Sequence, residues 1–400
     1  MQTRFAQLDD PPDSLIRAFS AGYPVEREVD RLLMRKLQRR REPAYRRVSL
    51  SELGDRLRAL LESHVGCAVQ VSDLAWLSGG ASKIQVVFTL NWRESDRTCM
   101  RRLVLRMDPS ESLNTTSRLR ELELISAVEG VVPVPRIFCI DEDGRYFPEP
   151  ALVYSYVRGV TRPSAASTGR ISGLGTVFDD PLRGRLAAQF VDHLAMIHTL
   201  DVSARTFRSM DLPRIGSNEC ALWQLNRARR VWDEDRCEDL PLLDVAALWL
   251  QENAPPMDRS GVVHGDYRSG NFLFDEGSAL ITAWLDWERG LIGDRHRDLA
   301  WTCQRSLGRP DATGRFLVSG LVPEAEFWDT YEAASGLSVD PVRLHYYGVL
   351  NCYQRIVTIA GSARRIVRLA KSHQDILLAS IQRLVPELCR EMVRLLQKAL

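Results

Sequence analysis

The spacing of hydrophobic residues changes character near residue 71. Before it, a Pro-rich start leads into two helical stretches. The first, from about Val25 to Arg41, ends in Arg39-Arg40-Arg41, which reads as a solvated helix end with no nucleic-acid role. The second opens with the capping-box pattern Ser49-x-x-Glu52 and sets Leu50, Leu53, Leu57, Leu60 and Leu61 on one face, so it is expected to pack on the lobe that follows. From Val71 the period becomes that of strands: DLAWL, the loop SGGASK, IQVVFTL, a turn around Glu94-Ser95-Asp96, and RRLVLRM. The stretch SRLRELELISAVEG then predicts a helix, with Leu119, Leu122, Leu124 and Ile125 apolar and Gly130 just past its end. RIFCI and ALVYSYVRG read as further strands. Residues 160–185 are rich in Ser, Gly and Thr and read as a mobile loop, a lid or an indifferent surface loop. The helix after them carries Leu186, Phe190, Leu194 and Ile197 at core spacing and ends in His198, read as a packing residue. The last hundred residues or so are mainly helical.

Composition narrows the classes. A chain of 400 residues, 45% hydrophobic and 26% charged, suits one two-lobed unit or two domains. A net charge of +1 offers no global attraction to nucleic acid or membrane. No run reaches the length of a membrane span, and MQTRFAQLDDPPD lacks a signal-peptide core, so the expected location is cytoplasmic. The eight cysteines are scattered with no C-x-x-C pair, which argues against zinc or a disulfide framework. Lysine occurs only at Lys36, Lys83, Lys371 and Lys398, so arginine carries nearly all the positive charge. From Pro341 onward there are ten basic residues against three acidic ones. A basic helical lobe would repel a polycation and favour an anionic acceptor, whereas a solvated basic helix is the plain alternative.

The candidate chemistry lies between Val262 and Trp301. Asp266 and Asn271 stand five positions apart, and Asp286 follows a hairpin turned at Asp275-Glu276-Gly277, so three oxygen-bearing side chains can share one end of the structure. That spacing matches the Asp-x-x-x-x-Asn loop and downstream metal-binding Asp of kinase-type phosphoryl transfer. Turn-forming Asp and Asn on a surface hairpin would be the ordinary explanation. It does not account for the upstream Gly loop, the basic third strand and the helix glutamate arriving in kinase order.

HGDYRSGNFLF followed by LDWERGLIGDRHRDLAW resembles the aminoglycoside phosphotransferase-like (kinase-like) superfamily, in the branch related to phosphotransferase domains of acyl-CoA dehydrogenase fusion proteins. The resemblance spans roughly Leu74 to Ile359. It implies an α+β, two-lobed protein-kinase-like fold with a small antiparallel-sheet N-lobe and a larger, mainly helical C-lobe. The organisation it implies is a helical extension over residues 1–70, a nucleotide-binding lobe with hinge over 71–157, and a catalytic and acceptor-binding lobe over 158–400. ATP and Mg2+ are the implied cofactors.

The resemblance also implies roles. Asp266 would accept the proton of the acceptor hydroxyl, Arg268 would reach a phosphate or an anionic group, and Asn271 and Asp286 would hold magnesium. Ser78, Gly79, Gly80, Ser82 and Lys83 would form the phosphate loop. Arg106 stands where the wider superfamily has a lysine, keeping the charge and gaining a fork for phosphate oxygens. Glu121, with Glu123 as alternative, would pair with it, and the main chain at Ser155, Tyr156 and Val157 would meet an adenine edge. His264 would brace the loop, Asp298 would fix its amides, and Arg295 replaces a usual proline. The implied function is an ATP-dependent O-phosphotransferase acting on a hydroxyl of a small molecule, with an anionic acceptor such as a hydroxyacyl-CoA favoured. The alternatives are a macrolide or aminoglycoside kinase and a catalytically silent nucleotide-binding regulator, for which Arg106 is the best support.

Overall fold

The computed structural model describes residues 7–77, 83–95, 97–164 and 176–398. Its N-terminal half is organised on a five-stranded antiparallel sheet of order β1-β2-β3-β5-β4, with β1 Val69–Trp76, β2 Ile84–Glu94, β3 Arg97–Met107, β4 Ile137–Asp141 and β5 Ala151–Ser155. Alternation along β2 and β3 sorts the side chains between two faces. Val86, Phe88 and Leu90 with Leu103, Leu105 and Met107 pack against Leu53, Leu57, Leu60 and Leu61. Those leucines belong to α3 (Leu50–Val65), which follows α1 (Asp13–Gly22) and α2 (Arg27–Gln38). Ser49 caps α3 by accepting from the Glu52 amide at 3.1 Å, as the capping-box pattern predicts. On the opposite face Val87, Val104 and Leu152 meet Leu124, Ile125 and Val128 of α4 (Arg118–Val128). Arg106 shares the Val104 face by the same alternation, so its guanidinium is delivered toward α4.

The rest is mainly helical: α5 Asp180–Thr199, α6 Glu219–Asp235, α7 Pro241–Glu252, α8 His296–Thr302, α9 Glu324–Ser335 and α10 Pro341–Ile356. After α10 a π-helical run, Val357–Ala363, leads to α11 Arg364–Arg368, α12 Asp375–Ser380 and α13 Val385–Gln397. Two short ribbons carry the Val262–Trp301 region: β6 Gly261–Val263 pairs with β9 Leu291–Gly293, and β7 Phe272–Asp275 pairs with β8 Leu280–Trp284. Beneath them Tyr267 stacks on Trp284 at 3.9 Å, and its hydroxyl donates to the Phe190 carbonyl at 2.6 Å, which fixes the ribbons on α5. Among the described residues no helix is long and apolar enough to cross a membrane.

One expectation is corrected in part. Within Arg39-Arg40-Arg41 the last residue is exposed, but the middle one is not solvated: Arg40 is 3% exposed, pairs with Asp235, and donates to the Leu8 and Glu234 carbonyls at 2.6 and 2.8 Å. The physical reason is Asp235, a buried carboxylate at the end of α6. Burial alone would raise its pKa, but Arg365, Lys36 and Arg40 together hold it well below the ordinary carboxylate range. A buried charge needs such partners, and here they come from α2, the turn after it and α11.

Candidate active site

β6 is wholly buried and delivers His264, Gly265 and Asp266 to the end of the ribbon. Gly265 has φ 79°, and a Cβ there would lie 2.3 Å from the Arg289 carbonyl oxygen, so only glycine fits. The loop hangs from Asp298 in the first turn of α8. Its carboxylate accepts the His264 and Gly265 amides at 2.6 and 2.7 Å, with His198 Nε2 at 3.4 Å. Burial raises the Asp298 pKa, but the contacts with His198 and His264 outweigh it and the carboxyl stays below its usual range. His264 Nε2 donates to the Leu285 carbonyl at 3.0 Å, which leaves Nδ1 to accept the Asp266 amide at 3.3 Å. Burial pushes the His264 pKa down, so the ring is a neutral strut between the loop and the strand leading to Asp286.

Asp266 is 9% exposed. Its Oδ1 accepts from Trp301 Nε1 at 2.7 Å and Arg268 Nε at 3.0 Å, whereas its Oδ2 takes no hydrogen bond among the described residues. The carboxylate is therefore oriented from one side and open on the other. Asn271 donates its amide N–H to the Asp266 carbonyl at 2.8 Å, which turns its amide oxygen away from that bond. The Leu285 N–H donates to the Asn271 carbonyl at 2.7 Å, tying the residue before Asp286 to Asn271. Asp286 has φ 66°, a left-handed conformation that Asp tolerates better than most residues.

Beside it lies a dense charged cluster. Arg106 meets Glu121 at 3.1 Å, Glu288 at 2.8 Å, and Asp286. Lys83 meets Asp108, Glu288 at 3.3 Å, Ser112 at 2.7 Å and Thr116 at 2.8 Å, and Arg118 pairs with Glu121. Four carboxylates, Asp108, Glu121, Asp286 and Glu288, thus face three cations, Lys83, Arg106 and Arg118. Burial pushes Glu288 up, but Lys83 and Arg106 overcome it and bring the carboxyl down to about 2. Asp286 carries the shortfall: burial, then the Glu288 charge, raises its pKa. A hard-oxygen donor set of Asn271 and Asp286, short of positive charge, fits a magnesium ion.

The placement of the remaining candidates is mixed. Arg106 meets Glu121, while Glu123 instead accepts the Arg208 and Ser209 amides at 2.7 and 3.1 Å. Ser78, Gly79, Gly80 and Ser82 lie outside the described residues, as does the 165–175 part of the predicted lid. Lys83, 2% exposed, is buried in the charged cluster. At the hinge the Ser155 and Tyr156 amides donate to the Arg136 and Arg102 carbonyls at 2.8 and 3.0 Å, so neither is open to the adenine contact expected of it. Arg295, in place of a proline, bonds Asp258 at 2.8 Å and the Ser338 carbonyl at 2.8 Å. Sequence reasoning passed over Glu288, although it stands two residues after Asp286 in LDWERG.

The basic excess after Pro341 is partly paired. Arg343 pairs with Asp258 at 2.5 Å, Arg364 with Glu238 at 2.6 Å, Arg365 with Glu111 at 2.5 Å, Arg368 with Asp9 at 2.5 Å, and Arg394 with Glu391 at 2.7 Å. Acids from other segments thus pair with four of the ten basic residues, and Glu391 of the same segment pairs with a fifth.

Residues 86–337, more than half of the chain, match the model of the phosphotransferase enzyme family. Acyl-CoA dehydrogenase family member 10 of Mus musculus is 26% identical over 215 residues, which is 52% of this chain and 18% of that protein. The chain thus spans about a fifth of this curated relative. Among solved structures, a Ralstonia eutropha protein assigned to the aminoglycoside phosphotransferases superposes with a TM-score of 0.61 at 20% identity, covering 86% of this chain and 98% of its own. A thermostable mutant of aminoglycoside phosphotransferase APH(4)-Ia, in ternary complex with ADP and hygromycin B, gives 0.50 at 17% identity, over 84% and 98%. The α+β kinase-like fold expected from the sequence is the one observed, and with the family match it establishes that the chain belongs to the phosphotransferase enzyme family.

Proposed function

We propose that the chain transfers the terminal phosphoryl group of ATP to a hydroxyl of a small molecule, with Asp266 as base and Asn271 and Asp286 holding magnesium. The acceptor oxygen forms the new bond to phosphorus, the bond to the ADP oxygen breaks, and the hydroxyl proton passes to Asp266 Oδ2. The observation that carries this reading is the one-sided fixing of Asp266. Trp301 and Arg268 hold Oδ1, Oδ2 takes no hydrogen bond among the described residues, and Asn271 is bonded to the same residue's carbonyl. Phosphoryl transfer asks for such alignment and for charge neutralisation more than for covalent help. Magnesium would neutralise phosphate charge at the Asn271 and Asp286 oxygens. The nucleotide in the APH(4)-Ia complex supports a nucleotide donor here.

For the acceptor we favour an anionic hydroxy compound, with hydroxyacyl-CoA as the leading example in view of the acyl-CoA dehydrogenase relative. The assigned lobes are 71–157 for the nucleotide and 158–400 for catalysis and acceptor. One observation favours a second reading. Arg106, the arginine in place of a lysine, bonds Asp286 itself, which favours a nucleotide-binding protein that does not turn its nucleotide over. An assay of ADP formation with magnesium and ATP, against hydroxyacyl-CoAs, other anionic alcohols, aminoglycosides and macrolides, separates the readings. Acceptor-dependent ADP release with an anionic alcohol is expected; release only with an antibiotic, or with nothing, would contradict the proposal.

A further inference from the structure

A cavity of about 70 Å³ opens behind the Asp286 turn. It lies between α6, α8 and the π-helical run, and Arg227, Arg289, Arg297, Gln224, Gln354 and Thr358 line it. Its arginines differ from five buried arginines elsewhere in the fold. Arg40, Arg106, Arg118, Arg230 and Arg365 each meet a carboxylate, as buried guanidinium groups should. Among the described residues none of the three cavity arginines is in ion-pair contact. Arg227 donates to the Thr115 carbonyl at 2.7 Å, Arg289 lies over the Trp301 ring at 4.3 Å, and Arg297 donates to Gln354 Oε1 at 2.8 Å. Arg297 is 4% exposed, and its Nε and Nη1 have no hydrogen-bond partner among the described residues.

Such a cluster is unfavourable as it stands. Burial, then Arg289 and Arg227, lowers the Arg297 pKa to about 9. Burial, then Arg120 and Arg289, lowers that of Arg227 to about 10. Desolvated like charges gain most from an anion with several acceptor oxygens, and guanidinium forks match phosphate geometry. The cavity is also coupled to the catalytic carboxylate. The ring beneath the Arg289 guanidinium is that of Trp301, whose N–H donates to Asp266 Oδ1 at 2.7 Å. The wall facing α6 includes Val357, Thr358 and Ser362 of the π-helical run, a helix irregularity common at functional sites.

We propose that Arg227, Arg289 and Arg297 form an anion-binding subsite that holds a phosphate group of the acceptor one aromatic ring away from Asp266. This deepens the phosphotransferase reading and rests on it. The acceptor class is then a phosphate-bearing alcohol, with its hydroxyl presented to Asp266 Oδ2 while the phosphate is gripped in the cavity.

The test uses inorganic phosphate as probe and thermal melting as readout, with and without saturating magnesium and ADP, on the wild type, Arg227→Gln and Arg297→Gln. Phosphate is expected to raise the melting temperature in both conditions, and each variant should lose that response while keeping the ADP response. The retained ADP response shows that the variant is folded, and Arg227, the more exposed of the two, serves if Arg297→Gln fails that control. A phosphate response that vanishes once ADP is bound would place the anion among the donor phosphates and overturn the proposal. A response unchanged in both variants would overturn it too. With the acceptor identified by the ADP-formation assay, Arg227→Gln should raise KM about tenfold or more with kcat little changed, and phosphate should compete with that acceptor. Inhibition independent of acceptor concentration would mark a free effector anion and defeat the acceptor assignment. If ADP gives no response while phosphate does and the variants lose it, the donor reading fails and the anion subsite stands.

Discussion

Asp266→Asn is expected to lower turnover by about 10²–10⁴-fold, the usual worth of a positioned general base, with magnesium-dependent nucleotide binding left near wild type. The amide keeps the shape of the carboxylate, and its oxygen can still accept from Trp301 Nε1 and Arg268 Nε. It cannot take the acceptor's proton. The backbone contacts that build the loop involve the Asp266 amide and carbonyl, which the substitution does not alter. Loss of turnover with retained binding therefore separates the chemical step from folding. A rate within threefold of wild type, roughly, would remove Asp266 from the role of base, since such a change lies far below the expected effect.

The largest loss of stability is expected from Asp298→Ala. The carboxylate accepts two main-chain amides of the loop and lies beside His198, all fully buried. Removing it orphans both amides in the interior, and such a loss costs about 3–5 kcal/mol. Asp298→Asn keeps an acceptor oxygen but turns an N–H₂ toward a second donor, so it should fall between wild type and the alanine variant. Urea melts followed by fluorescence report the difference. A change of about 1 kcal/mol or less, near the scale of an ordinary surface substitution, would show that the loop does not depend on this acceptor.

The local motifs were legible because their chemistry is adjacent in sequence. Asp266 and Asn271 face each other within one short loop, and strand alternation on β3 places Arg106 opposite Glu121 on the next helix. The capping-box serine and the leucine stripe of α3 fall into place for the same reason. What escaped was whatever depends on partners far along the chain. Arg40 reads as solvated until Asp235 is seen, 195 positions away. Four of the basic residues after Pro341 read as part of an anion-favouring or solvated basic face until Asp9, Glu111, Glu238 and Asp258 are found beside them. Conversely, Arg227, Arg289 and Arg297 lie on α6, the Asp286 turn and α8, and nothing in the sequence brings them together. Glu288 is different: LDWERG displayed it beside Asp286, and its exchange between Lys83 and Arg106 became visible only in the packed cluster.

Asp286 is proposed to hold the metal that a nucleotide brings. Arg106 contacts one oxygen of its carboxylate, Oδ1. The decisive measurement is the thermal shift of wild type and Asp286→Ala with ATP and with GTP, each with and without magnesium. A donor at a hundredfold excess over its dissociation constant stabilises the fold by about 2.7 kcal/mol. A magnesium-dependent rise in melting temperature is expected with wild type and is lost in Asp286→Ala. A rise of equal size in both proteins, or no rise in folded wild type with either nucleotide, would contradict it.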